Sequence, residues 1–120
     1  MKMINFLTET NHVLSRNHKT WNDVRWVGTR EIELDIDAFK DVASVLDYDS
    51  GYGIQEIVDD ILIVGDDWYL KRQSFDGAER WQYVDIPKRP AKTYNGKNFT
   101  LRSPYGTDDF ANVNEDVLST

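Results

Sequence analysis

The 120-residue chain contains no cysteine. That absence removes disulfides, thiolate metal sites and cysteine nucleophiles together, and it fits a reducing compartment. Histidine is scarce: His12 and His18 are the only two, and without cysteine their spacing matches no zinc pattern. They read as surface or helix-end residues. No apolar run approaches the ~20 residues that a membrane helix needs. The opening stretch, MKMINFLTETNHVLSRNH, breaks its apolar positions with Thr8, Glu9 and Asn11, so it makes a poor signal peptide. There is no internal repeat and no low-complexity tract. Gly51 and Gly53 are not followed by the Gly-Lys-Ser/Thr of a phosphate loop. Asp47-x-Asp49-x-Gly51 lacks the third ligand and the closing Glu of a calcium loop. No serine has a persuasive base beside it for a Ser-His-Asp arrangement. We expect no catalytic residues, no metal site and no cofactor.

The remaining composition is that of an ordinary globule, 40% hydrophobic and 29% charged. The net charge of −7 is unevenly spread. Residues 1–30 carry five basic and two acidic side chains, whereas residues 31–67 carry one basic and twelve acidic. Residues 68–102 reverse the sign with eight basic and three acidic, and residues 103–120 hold four acidic side chains and no basic one. Such a segregated pattern is the most unusual feature of the chain.

The periodicity predicts a helix over roughly 3–16, from Ile4, Leu7, Val13 and Leu14. Alternation on both sides of Gly28-Thr29, with Val24 and Trp26 before and Ile32 and Leu34 after, predicts a hairpin or a kinked strand. Asp35 or Asp37 is placed to cap a helix carrying Phe39, Val42, Ala43 and Leu46. DYDSGYG reads as a turn. Ile54, Ile57, Val58 and Ile61 suggest a short helical segment feeding a buried strand, ILIVG. Two strand-like runs, Trp68 to Phe75 and Arg80 to Ile86, flank Asp76-Gly77, a strong hairpin signal. Pro87 and Pro90 end the pairing. One more strand is expected in 91–102, with Phe99 and Leu101 pointing one way. The sum is an α+β fold, an antiparallel β-sheet whose central aromatic hairpin packs against two or three short helices. Residues 1–102 read as the domain and 103–120 as an acidic, loosely ordered tail.

A two- or four-residue hairpin loop puts Trp68, Leu70, Arg72 and Ser74 on one face with Trp81, Tyr83 and Asp85. Tyr69, Lys71, Gln73, Phe75, Arg80, Gln82 and Val84 then share the other. The aromatic cluster reads first as core. A protein-binding face, with Arg72 stacked among rings, is the next reading. A nucleic-acid module using Lys71, Arg72, Arg80, Lys88 and Arg89 is the alternative, but the neighbouring acidic block would repel a polyanion. That block, Glu31, Glu33, Asp35, Asp37, Asp41, Asp59, Asp60, Asp66 and Asp67, has a bland reading as a solvated face. Its sharper reading is imitation of nucleic-acid phosphates, filling a basic channel on another protein.

Tyr48-Asp49-Ser50-Gly51-Tyr52-Gly53, then Ile61 to Leu70 (ILIVGDDWYL), then Asp76-Gly77-Ala78-Glu79 with Trp81 and Tyr83, resembles a family of small proteins encoded by phages and prophages of Gram-positive bacteria. The resemblance covers about residues 36–90. Arg72 keeps the arginine of the pattern, while Lys71, Gln73 and Arg80 depart from it and make the hairpin more basic. The resemblance implies no activity, catalytic residue or cofactor. It implies an accessory protein in the bacterial cytoplasm, of a class that includes inhibitors of host defence. The expected partner is therefore a bacterial host protein, most concretely a defence nuclease, as for anti-CRISPR proteins. Neither a membrane nor direct nucleic-acid contact belongs to this reading.

Overall fold

The computed structural model describes residues 3–51, 54–104, 106 and 108–119. The chain forms two compact units, Met1–Lys88 and Arg89–Thr120. The parting falls after Lys88, not at the boundary near 102 that the sequence suggested.

The first unit is α+β with antiparallel pairing throughout. Strand β1 (Met3–Asn5) leads into helix α1 (Phe6–Arg16). Asn5 caps that helix by accepting from the Thr8 amide, and Asn17 closes it with bonds to the Leu14 and Ser15 carbonyls. The expected helix therefore begins three residues late, because Met3 to Asn5 pair with β4 (Asp47–Asp49) instead. The DYDSGYG turn is accordingly a strand in its first half, and Tyr52 and Gly53 lie outside the described residues.

The main sheet has the order β3-β2-β5-β6-β7. Its strands are β2 (Trp26–Gly28), β3 (Glu33–Leu34), β5 (Leu62–Val64), β6 (Trp68–Phe75) and β7 (Ala78–Asp85). Helix α2 (Ile36–Ser44) follows β3 and is capped by Asp35, whose carboxylate accepts from the Ala38 amide. The β2–β3 hairpin bends at Gly28, where an added methyl would overlap the Ile32 carbonyl.

The β6–β7 hairpin turns in two residues. Arg72 opposes Trp81, Leu70 opposes Tyr83 and Phe75 opposes Ala78. Asp76 and Gly77 both take positive φ, 50° and 83°, the geometry that Asp-Gly supplies to a tight hairpin. The register agrees with the expected one, so Trp68, Leu70, Arg72, Trp81 and Tyr83 share the inward face. Val27, Ile63, Leu70 and Tyr83 cross the sheet in one row on that face. They join Phe6, Val13 and Leu14 of α1 and Phe39 and Ala43 of α2 in a single core.

Two expected elements do not form. Residues 54–61 are an extended strap and not a helix. Their amides at Glu56 and Ile57 are bound by the Glu79 carboxylate, so they are not available to a helical ladder. Residues 91–102 form no strand; in the second unit the Asn114 side chain holds both the amide and the carbonyl of Thr100, and Phe99 packs on Tyr94 and Phe110. The acidic tail is more structured than expected, with short helices α3 (Phe110–Val113) and α4 (Glu115–Leu118). No helix among the described residues is long and apolar enough to cross a membrane.

Candidate functional site

The hairpin face buries a cation. The Arg72 side chain is 1% exposed. Its guanidinium carbon lies 4.9 Å from the Trp81 ring centroid, 5.2 Å from Phe6 and 5.7 Å from Tyr48. Such a desolvated stack strengthens cation–π attraction. The donors are used inside the chain: Nη2 reaches the Tyr48 hydroxyl at 3.0 Å and Glu79 Oε1 at 3.2 Å, and Nη1 reaches Glu9 Oε1 at 3.4 Å. Nε has no partner among the described residues. Glu79 is 4% exposed and accepts from the Glu56 and Ile57 amides at 2.7 and 3.1 Å. Tyr48 donates to Glu9 at 2.7 Å. Burial and the bond to Glu9 raise its hydroxyl pKa above the ordinary value of 10.0. Nearby, the Trp81 indole donates to Thr10 Oγ1 at 2.8 Å, and Thr10 donates to the Phe6 carbonyl at 2.7 Å.

Arg72 is thus a core residue, and its expected role as a surface anchor for a partner is corrected. The hairpin's parity puts Arg72 on the inward face with Trp81, and burying a cation there requires partners that answer its charge. The missing information was Glu79, Glu9 and Tyr48. Glu79 was within reach of the same argument, since its parity matches Trp81. Glu9 and Tyr48 come from distant segments and carry no local signal.

The two hairpin tryptophans are likewise inside. Trp68 is 2% exposed and Trp81 4%, so neither can stack a base. Lys71 and Arg80 lie on the opposite, outer face, paired with Gln82 and Gln73.

The nine acidic candidates divide among three places. Asp66 forms a two-pronged bridge with Arg25, both contacts at 2.9 Å. With Asp67 it lines a cleft that also holds Lys19, Arg25 and Lys88, so this end of β5 is mixed in charge. Glu31, Asp59 and Asp60 gather at the other end of β5, around a second hollow shared with Arg30 and Lys71. The antiparallel pairing of Gly28 with Leu62 brings them together. The two ends are separated by a three-residue strand, about 10 Å at strand rise, already beyond the ~8 Å screening length at physiological salt. Glu33, Asp35, Asp37 and Asp41 lie on β3 and α2, all exposed. Asp35 is engaged as the helix cap, while Asp37 and Asp41 sit one turn apart, away from the buried Phe39. Seven acids thus occupy β3, α2 and the strap region, and Asp66 and Asp67 do not belong with them.

Between α2 and the strap runs an apolar groove of about 260 Å³, lined by Leu34, Val42, Leu46, Ile57, Val58 and Ile61 over a floor of Phe6 and Phe39. Val42 and Val58 remain 66% and 64% exposed. Sequence reasoning assigned Val42 and Val58 to helix faces and missed the groove, because the strap's extended path is set by Glu79 and not by its own pattern.

No group of three or more His, Asp or Glu residues among those described could hold a metal ion. Comparison with known proteins finds no matching family, no matching curated protein and no matching solved structure.

Proposed function

We propose that the protein works by binding another protein through its acidic half, without catalysing a reaction. The observation that carries this reading is the composition of one segment: residues 31–60, which supply β3, α2, β4 and most of the strap, hold ten acidic side chains and one basic one. Glu31, Glu33, Asp37, Asp41, Asp59 and Asp60 are exposed there. Such a surface attracts a basic partner, speeds encounter and rejects polyanions. The most concrete version keeps the resemblance to phage and prophage accessory proteins: the partner is a bacterial defence nuclease, and the carboxylates occupy its nucleic-acid channel. Asp66, Asp67 and Arg72 have no part in it. Binding to candidate nucleases at about 50 and 300 mM salt tests the reading, since screening acts across that range. The affinity should fall by tenfold or more, and Asp37→Asn with Asp41→Asn should flatten the dependence. Salt-indifferent binding, or none, defeats it.

A second reading has one observation in its favour. The outer sheet face carries Lys71 two residues from the half-buried Tyr69, which lies in one row with Trp26, Val64 and Val84, and Arg80 farther along the same face of the hairpin. Rings and cations on a sheet can hold single-stranded nucleic acid. A gel shift with single-stranded DNA and RNA decides: no shift at micromolar protein removes this reading.

A further inference from the structure

We propose that Asn95 is a self-modification site, where the following backbone closes on the asparagine side chain and converts it to an acid. The Gly96 amide nitrogen attacks the side-chain carbonyl carbon of Asn95. Its proton leaves with the side-chain nitrogen as ammonia, and a cyclic succinimide remains. Water then opens that ring at one carbonyl or the other, giving isoaspartate or aspartate. Water is the only co-reactant, and no electron changes hands. The inference is independent of the acidic-surface reading.

Three observations single out this position. Asn95 is the one asparagine in the chain that is followed by glycine, which has no side chain to obstruct the attack. Asn95 and Gly96 are exposed and belong to no helix or strand. Among the described residues, neither the Asn95 side chain nor the Gly96 amide makes a hydrogen bond, so none has to break first. Other asparagines are held: Asn5 binds the Ser44 carbonyl and Asp47, Asn17 the Val13 carbonyl, and Asn114 the Thr100 carbonyl. Asp76-Gly77 has the same small follower, but the pairing of Phe75 with Ala78 fixes its turn. The bend around Gly96 is braced by Tyr94. A methyl added to Gly96 would overlap the Tyr94 ring and hydroxyl, and that hydroxyl accepts from the Asn98 amide at 3.3 Å. Isoaspartate sends the main chain through the side-chain carbon and so inserts a methylene inside this brace. It should draw Asn98 off Tyr94 and loosen Phe99 from Tyr94 and Phe110. Aspartate keeps the chain length and should leave that packing in place.

The test incubates the full chain in warm, mildly alkaline buffer and follows every asparagine by peptide mass spectrometry. An isoaspartyl methyltransferase assay counts the isoaspartate. Asn95 should convert at least tenfold faster than any other asparagine, with ammonia released in step. Its rate should lie within about threefold of that in a free peptide spanning residues 91–100, since a segment without ladder bonds opens at almost no cost. Asn95→Gln, which would have to close a larger ring, should remove the product and leave the circular dichroism spectrum unchanged. In amide NMR spectra the Asn98 signal should move in the isoaspartate form and stay in place in Asn95→Asp; equal spectra for the two products defeat the bracing account. Faster conversion at another asparagine, more isoaspartate at Asp76 than at position 95, or an Asn95 as inert as Asn5 and Asn17 overturns the inference, whether or not the free peptide reacts.

Discussion

Arg72→Met removes the buried cation while keeping most of its stem. The methionine still touches Phe6, Tyr48 and Trp81, so little cavity opens. What changes is the environment of Glu79, whose side chain is 2% exposed and whose cation lay 3.2 Å away. Removing one member of a buried ion pair costs about 3–5 kcal/mol, because the remaining charge stays desolvated and unanswered. The two amides that Glu79 also binds soften that loss without replacing the cation. Against a typical domain stability of about 5–15 kcal/mol, the variant loses a large share. At roughly 4 °C per kcal/mol, its melting temperature falls on the order of 15 °C. Urea unfolding followed by tryptophan fluorescence reads the change directly, since Trp68 and Trp81 are buried and Trp81 lies against the guanidinium. Arg72→Lys keeps the charge but loses the planar fork and should recover only part of the loss. The double variant Arg72→Met with Glu79→Gln should be less damaged than the sum of the two single ones, by about 0.5–3 kcal/mol. A loss below about 1 kcal/mol for Arg72→Met, or additivity within about 0.5 kcal/mol for the pair, refutes the buried-pair account.

Tyr48→Phe tests the raised hydroxyl pKa. A tyrosine with a folded-state value above its unfolded value of 10.0 contributes stability that is complete below pH 10 and declines as pH rises toward the folded value. The wild type should therefore lose stability above pH 10 relative to the variant in urea titrations, and parallel curves would contradict this. Gly28→Ala places a methyl against the Ile32 carbonyl, a backbone atom that cannot turn aside; a loss of about 2 kcal/mol or more is expected, and near-wild-type unfolding would argue against the bend. Thr10→Val leaves the Trp81 indole donor without its acceptor and should cost about 1–3 kcal/mol, visible in the urea midpoint; an unchanged midpoint would mean that the donor finds another partner.

The parts of the fold that were legible share one property: their determinants are local. Asp76-Gly77 sets the loop length, the loop length sets the register, and the register sends Arg72 and Trp81 inward together. Asp35 caps α2 three residues before the amide it binds. The misread parts depend on partners far along the chain. Residues 54–61 have apolar spacing suited to a helix, but Glu79, more than twenty residues away, takes their amides and draws them out straight. Met3 to Asn5 could have extended α1, but Asp47 to Asp49 offered a ladder. The acidic block was visible as composition; its division was not. Only the pairing of β2 with β5 shows that Glu31 joins Asp59 and Asp60 at one end of the short strand, apart from Asp66 and Asp67 at the other.

Glu79 joins the buried cation to the strap. The carboxylate that answers Arg72 in the core is the one that holds the strap forming the outer wall of the groove. The strap has no ladder of its own, so its position depends on those two amide bonds, on the Asp49 amide bound by Glu56 and on the buried Ile57 and Ile61. A core of purely apolar residues could stabilise the hairpin as well or better, but it would offer nothing to hold an extended segment against the sheet. The buried ion pair is thus better understood as positioning than as stability. It fixes an irregular, acidic wall beside a regular helix, and an apolar groove stays open between them.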